Sequence, residues 1–151
     1  MTLKIASASD YKELTKVFLE VYDSVSNKAE FNWPLEKIQT ELVMSAFLIC
    51  LDNEDNCICG FIGYRNNDDC YEIMALGTAH RARHKNVMSL LLSYLQQSSR
   101  KASKSILLEV HSQNRSAIGL YQKSGFKKIG LRKAYYLDGS DAVTFQYSEH
   151  I

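Results

Sequence analysis

Apolar positions recur along this chain at two spacings, alternate residues and every third or fourth, and the switches between them mark out its elements. Thr2 to Ala6 reads as a short strand. Ser9 or Asp10 then caps a helix in which Leu14, Val17, Phe18 and Val21 share one side. A polar loop from Ser24 to Asn32 leads to Phe31, Trp33 and Pro34. Pro34 suits the first turn of a second helix, with Leu35, Ile38, Leu42 and Val43 on its inner side. Three strands follow, about Phe47 to Leu51, Ile58 to Tyr64 and Tyr71 to Thr78, joined by residues 52–56 and 66–69, which have hairpin-turn composition. The basic loop AHRARHKN opens the longest helix, about Val87 to Ser103. Val87, Leu91 and Leu95 repeat on one of its faces, widened by Leu90, Leu92 and Tyr94. The order β-α-α-β-β-β-α-β-α-β-β is completed by an apolar strand (Ser105 to Val110), a short helix and two strands. These last strands, about Lys127 to Tyr136 and Ala142 to Tyr147, join through Asp138–Gly139. Such alternation predicts a mixed sheet with helices on its faces, and its one parallel crossover should be right-handed.

The stretch from Glu109 to Phe126, EVHSQNRSAIGLYQKSGF, is the most economical part of the pattern. Asn114 can cap the short helix with its side-chain oxygen. Gly125 suits the left-handed position after the last turn, letting Phe126 pack back onto Leu120 and Tyr121. An acid, an amide and a phenol are thereby collected near one strand end.

Composition narrows the function without naming it. A chain of 151 residues, 46% hydrophobic with a single proline, is expected to form one domain with a real core. The net charge of +1 gives no global reason for nucleic-acid or membrane binding. The longest apolar run, Ala46 to Leu51, cannot span a bilayer, and Met1 to Asp10 has no secretory pattern. A soluble cytoplasmic protein is the expectation. Cys50, Cys57, Cys59 and Cys70 are read as reduced core thiols. His80 and His84 have metal-like spacing but no third ligand, so no metal is expected.

Four segments in order, EIMALGT, RHKNVMSLLLSYL, LLEVHSQNRSAIGLYQKSGFKKIGLRKAYY and SDAV, resemble the GNAT N-acetyltransferase superfamily and within it the RimI-like enzymes, which acetylate protein N-terminal amines. The resemblance implies one GNAT domain over residues 1–151: an α/β (α+β) fold with a mixed, mostly antiparallel seven-stranded sheet and about four helices. It implies acetyl-CoA as co-substrate and a peptide or protein N-terminus, such as that of a ribosomal protein, as acceptor. Glu109 takes the position of the family's general base, Tyr121 that of its general acid, and Asn114 that of the amide on the cofactor's pantetheine arm. That set suits the chemistry. An α-ammonium of pKa about 8 must lose a proton before attacking a thioester, and a phenol of pKa about 10 can protonate a leaving thiolate.

The diphosphate-holding loop of the family maps onto Arg83, His84, Lys85, Asn86, Val87 and Met88. Arg83 matches, while Asn86 and Met88 replace two glycines. Asn86 tolerates unusual backbone angles and caps helices, and the flexible Met88 can turn into the core. Arg81, Arg83 and Lys85 crowd a helix N-terminus, where a bound anion would relieve the clash with the dipole. Leu76, Gly77 and Thr78 map to the strand end that pairs with pantetheine, and Gly77 fits a bulge or a close approach. FNWP with its Trp33, and Tyr135, Tyr136 and Asp141, resemble positions framing the acceptor. The usual E-D-A reads Ser140-Asp141-Ala142. Two rival readings are a small amine or lysine as acceptor, and a non-catalytic binding module that has lost its cofactor. Structural roles compete too: a solvated strand-end acid for Glu109, a cap for Asn114, a core aromatic for Tyr121.

Overall fold

The computed structural model describes residues 1–23 and 33–149. Its strands are β1 (Thr2–Ile5), β2 (Ala46–Leu51), β3 (Ile58–Asn66), β4 (Cys70–Thr78), β5 (Ser105–His111), β6 (Lys127–Arg132) and β7 (Ala142–Tyr147). Its helices are α1 (Tyr11–Asp23), α2 (Leu35–Met44), α3 (Val87–Lys101) and α4 (Arg115–Lys123). Single 3-10 turns, Ala8–Asp10 and His80–Ala82, precede α1 and α3. The seven strands form one sheet in the order β1-β2-β3-β4-β5-β7-β6. Every pairing is antiparallel except β4 with β5. The Phe31 and Asn32 of FNWP and the expected 24–32 loop lie outside the described residues. No helix among the described residues is long and apolar enough to cross a membrane.

Two cores sandwich the sheet. One packs α1 and α2 through Leu14, Phe18, Ile38 and Phe61; the other packs α3 and α4 through Leu91, Leu92, Leu95, Tyr121 and Phe145. β2 and β3 are nearly continuously buried because both faces are covered.

Several expectations give way to tertiary context. The α1 entrance is capped one turn early: the Ser7 N–H donates to Asp10 Oδ2 at 2.9 Å, so Asp10 is the reciprocal half of a capping box, not the cap. This hydrogen bond lowers the Asp10 carboxyl below its ordinary pKa. On α2, Ile38 and Leu42 are buried, but Leu35 and Val43 are exposed. The remaining inner position belongs to Glu41, which takes the Arg65 guanidinium on both carboxylate oxygens at 3.0 and 3.2 Å. On α3, Leu92 joins the core while Leu90 and Tyr94 stay exposed. All four cysteines are free; Cys50 and Cys59 are buried, but Cys57 and Cys70 are only half-buried. Burial, and then the Cys50 side chain beside it, push the Cys59 thiol up to about 12. β6 stops at Arg132, short of the expected Tyr136. Ala134 takes a left-handed φ of 51° there, and its N–H donates to Asp141 Oδ1 at 2.9 Å.

Candidate active site

The site begins as a failure of strand pairing. β4 and β5 are in parallel register only from Cys70↔Ser105 to Glu72↔Leu107, although β4 runs on to Thr78 and β5 to His111. The divergence starts beside a bulge in β4. Gly63 faces Ala75 and Tyr64 faces Ile73, which leaves Met74 as the extra residue. That residue also switches which side chains face each side. Tyr71 and Ile73 belong to the α3 core, Ala75 and Ala79 to the α1 core.

A cavity of about 890 Å³ fills the opening and reaches both faces of the sheet. Its wall includes Ile73, Met74, Ala75 and Leu76 of β4, Leu107 to Val110 of β5, and Asn114, Ala117 and Tyr121 of α4. The expected trio of Glu109, Asn114 and Tyr121 therefore lines one space. Past Glu72 and Leu107 the facing edges of β4 and β5 carry backbone groups that no longer pair with each other, an edge that an extended chain can fill.

α4 is fixed at both ends by its sequence. Asn114 Oδ1 accepts from the Ala117 N–H at 3.2 Å, the expected cap. At the far end Phe126 N–H donates to the Tyr121 carbonyl (2.9 Å) and Gly125 N–H to the Gln122 carbonyl (3.1 Å), with Gly125 at φ 89°. This is a Schellman motif, and its hydrophobic contact is Phe126 on Tyr121, ring centroids 5.8 Å apart. The motif that ends the helix thus also seats Tyr121, which is 5% exposed.

Glu109 reaches the cavity from the other side of the strand, since Leu108 and Val110 point into the α3 core. Its Oε2 is buried and makes no hydrogen bond among the described residues; the Arg132 Nε lies 3.4 Å away as an ion-pair partner. A buried carboxylate oxygen with spare acceptor capacity at a cavity wall is suited to an ammonium or a proton. Arg132, which the sequence reading missed, itself lines the cavity and lies 5.5 Å over the Tyr135 ring. No periodicity marks an exposed arginine near the end of an edge strand.

Tyr135, Tyr136 and Trp33 also line the cavity. Trp33 sits edge-on to Phe18 at 5.0 Å, with Lys37 Nζ 4.3 Å over its ring. Tyr136 stacks on His111 at 4.9 Å, and His111 Nε2 meets Asp138 Oδ2 at 2.8 Å. His111 Nδ1 accepts the Gln113 N–H at 3.1 Å, which puts the proton on Nε2 as donor to Asp138. The Ser140 N–H and then His111 lower the Asp138 carboxyl to about 2. Asp141 is not in the cavity wall; its carboxylate is the partner of Ala134 N–H described above.

Of the remaining expected residues, Gly77, Thr78 and Arg83 to Met88 are not in the wall either. They continue the same line beyond Leu76. Thr78 pairs with Gly60 of β3, and a Cβ on Gly60 would stand 2.6 Å from Val87 Cγ1, so the start of α3 packs on β3 beside this end of β4. Gly77 is no bulge but a close approach: a Cβ there would meet Val21 Cγ1 at 2.6 Å. Asn86 occupies the left-handed region at φ 60° and His84 does so at φ 64°. Asn86 thus adopts a glycine-like backbone, but its side chain makes no capping bond. Met88 turns into the α3 core. Arg81 is drawn away to Asp55 and Asp52 at 3.2 and 3.7 Å, leaving Arg83, His84 and Lys85 exposed and without an ion pair among the described residues.

A family model described as the acetyltransferase (GNAT) family matches residues 11–126. An N-alpha-acetyltransferase of Saccharolobus solfataricus is 35% identical over 72 residues, which are 46% of this chain and 43% of that protein. The N-alpha-acetyltransferase RimI of Mycobacterium tuberculosis is 32% identical over 77 residues, 50% of this chain and 48% of that one. Each match spans under half of the relative's own length. Among solved structures, the ribosomal-protein-S18-alanine N-acetyltransferase of Escherichia coli superposes with a TM-score of 0.81 at 18% identity, covering 99% of this chain and 97% of that one.

Proposed function

The chain belongs to the GNAT acetyltransferase family, and from that premise we propose that it transfers an acetyl group from acetyl-CoA to the α-amine of a protein N-terminus. The observation that carries this reading is the splay of β4 from β5, which opens one cavity lined by Glu109, Asn114 and Tyr121 together with Trp33, Tyr135 and Tyr136. We take the sheet, from Thr2 to Tyr147, as one catalytic domain.

The residues fit coenzyme A in two places. The edge of β4 around Leu76–Thr78 that faces away from β3 and the amide of Asn114 suit an extended pantetheine arm. The start of α3 suits the diphosphate: its first N–H groups have no acceptor upstream in the helix, Asn86 supplies the glycine-like turn, and Arg83, His84 and Lys85 are exposed beside it. When bound, acetyl-CoA supplies the activated acyl group as a thioester. The chain's own part is to hold and move protons. Glu109 Oε2 takes the proton of the incoming ammonium, so that the amine nitrogen carries a lone pair. Tyr121 supplies a proton to the sulfur that leaves. Trp33, Tyr135 and Tyr136 wall the acceptor end, where aromatic surface excludes water from the reacting amine.

N-terminal amines are favoured over small polyamines by the names of the proteins that the chain resembles. The two named relatives are N-alpha-acetyltransferases, and the bacterial structural neighbour acts on a ribosomal protein alanine. The test is acetyl transfer, read by mass spectrometry, to peptides beginning Ala, Ser or Met, against polyamines and peptides whose only amine is a lysine. Transfer to the N-terminal peptides supports the reading; exclusive transfer to polyamine or lysine refutes the acceptor. Tyr121→Phe should depress turnover far more than acetyl-CoA affinity, and a mutant of equal activity removes Tyr121 from its role.

A further inference from the structure

Leu76 stands opposite Ile62 of β3 in register, yet both its backbone groups are taken by one side chain from α1. The Tyr22 hydroxyl donates to the Leu76 carbonyl at 2.8 Å, and the Leu76 N–H donates to the Tyr22 oxygen at 3.1 Å. A residue whose N–H and C=O both meet Tyr22 points them away from β3, toward the side from which β5 has departed. A single hydroxyl, 54 residues away in the chain, thus stands where a neighbouring strand's donor and acceptor would. Tyr22 is 6% exposed, with its ring 5.0 Å from Phe18 and 6.0 Å from Trp33, and both Tyr22 and Leu76 line the cavity.

We infer that the Tyr22 hydroxyl competes with the cofactor's amide arm for the backbone of Leu76, so that Tyr22 sets acetyl-CoA affinity. The inference rests on the acetyl-CoA reading above. An N–H has one hydrogen to give, so the Leu76 N–H cannot serve Tyr22 and an incoming carbonyl fully at once. A Leu76 carbonyl already accepting from Tyr22 is likewise a poorer acceptor for a pantetheine amide. Entry of the arm therefore moves the hydroxyl off Leu76. The ring it carries lies beside Trp33, which lines the same cavity.

Isothermal titration of acetyl-CoA into wild type and Tyr22→Phe tests the inference. Removing the hydroxyl leaves the Leu76 groups unfilled until the cofactor arrives, so Tyr22→Phe should bind acetyl-CoA about fivefold more tightly, the factor for one net hydrogen bond. Equal or weaker binding by a folded Tyr22→Phe, with wild type binding normally, overturns the inference alone. Absence of binding by wild type refutes the acetyl-CoA reading itself. Should Tyr22→Phe not fold, wild type labelled with ¹³C at tyrosine Cζ gives the answer. A shift of the Tyr22 resonance on saturation supports the exchange, and an unmoved resonance overturns it.

Discussion

Replacing Glu109 by glutamine should separate catalysis from stability. The carboxylate's ion-pair partner is the Arg132 Nε at 3.4 Å, and the Arg132 side chain is 61% exposed while that of Glu109 is 28% exposed. An ion pair with so open a cation is screened, and such pairs are worth about 0–1 kcal/mol. For a domain of this size a loss of that order moves the melting temperature by about 4 °C at most. Glutamine keeps the shape and an acceptor oxygen but cannot take a proton. Removing a general base costs roughly a hundredfold to ten-thousandfold in rate. Glu109→Gln is therefore expected to melt within a few degrees of wild type, bind acetyl-CoA nearly as well, and lose about two to four orders of magnitude in kcat. Differential scanning fluorimetry and a thiol-release assay read the two quantities on one preparation. Turnover within about threefold of wild type would sink the assignment, since no general base is that dispensable. A collapse in melting temperature with proportionate loss of activity would recast Glu109 as a structural residue.

Other consequences concern the framework that holds the site. Gly125→Ala places a Cβ at φ 89°, where the nearest atoms, Tyr147 Cδ2 and Cε2, are an ordinary 3.7 Å away. The cost is then backbone strain of about 1–2 kcal/mol, a drop of roughly 2–8 °C in melting temperature, with no drop contradicting the left-handed assignment. Asp138 has a folded pKa lowered to about 2 from 3.8. Its contribution is thus present above pH 3.8 and lost as pH falls toward 2. Acid-unfolding curves of wild type and Asp138→Asn should differ above pH 3.8 and converge as pH falls toward 2, and curves a constant distance apart would contradict this.

The framework of this site was largely legible from residue order, and its opening was not. The cap at Asn114, the glycine stop at Gly125 and the return of Phe126 onto Tyr121 are local events within a dozen residues. Local chemistry specifies them, and all three are present. The slot itself depends on Met74 being the extra residue of a bulge against β3, a matter of register between strands that alternation in one strand does not encode. For the same reason nothing in the residue order singles out Tyr22, and its hydroxyl bonds to Leu76 were invisible. Arg132 and Glu109 meet because β7 lies between their strands, a sheet order set by the whole chain. Leu35 and Val43 were assigned inward by spacing, but the Glu41–Arg65 pair holds that position on α2. The RHKNVM loop shows a subtler case. Asn86 adopts the left-handed angle that a glycine would supply, as its tolerance of unusual backbone angles allows, but not the helix cap that its side chain also suggested.

Everything proposed for this site requires that acetyl-CoA enter the slot between β4 and β5, and thermal denaturation across an acetyl-CoA titration tests that most directly. At a hundredfold excess over its dissociation constant, a ligand that binds only the folded chain adds about 2.7 kcal/mol. For a domain of this size that is a rise of roughly 5–11 °C in melting temperature, and the account predicts a rise of that order. A melting temperature unmoved at millimolar acetyl-CoA would contradict it and leave the fold as a binding module without its cofactor.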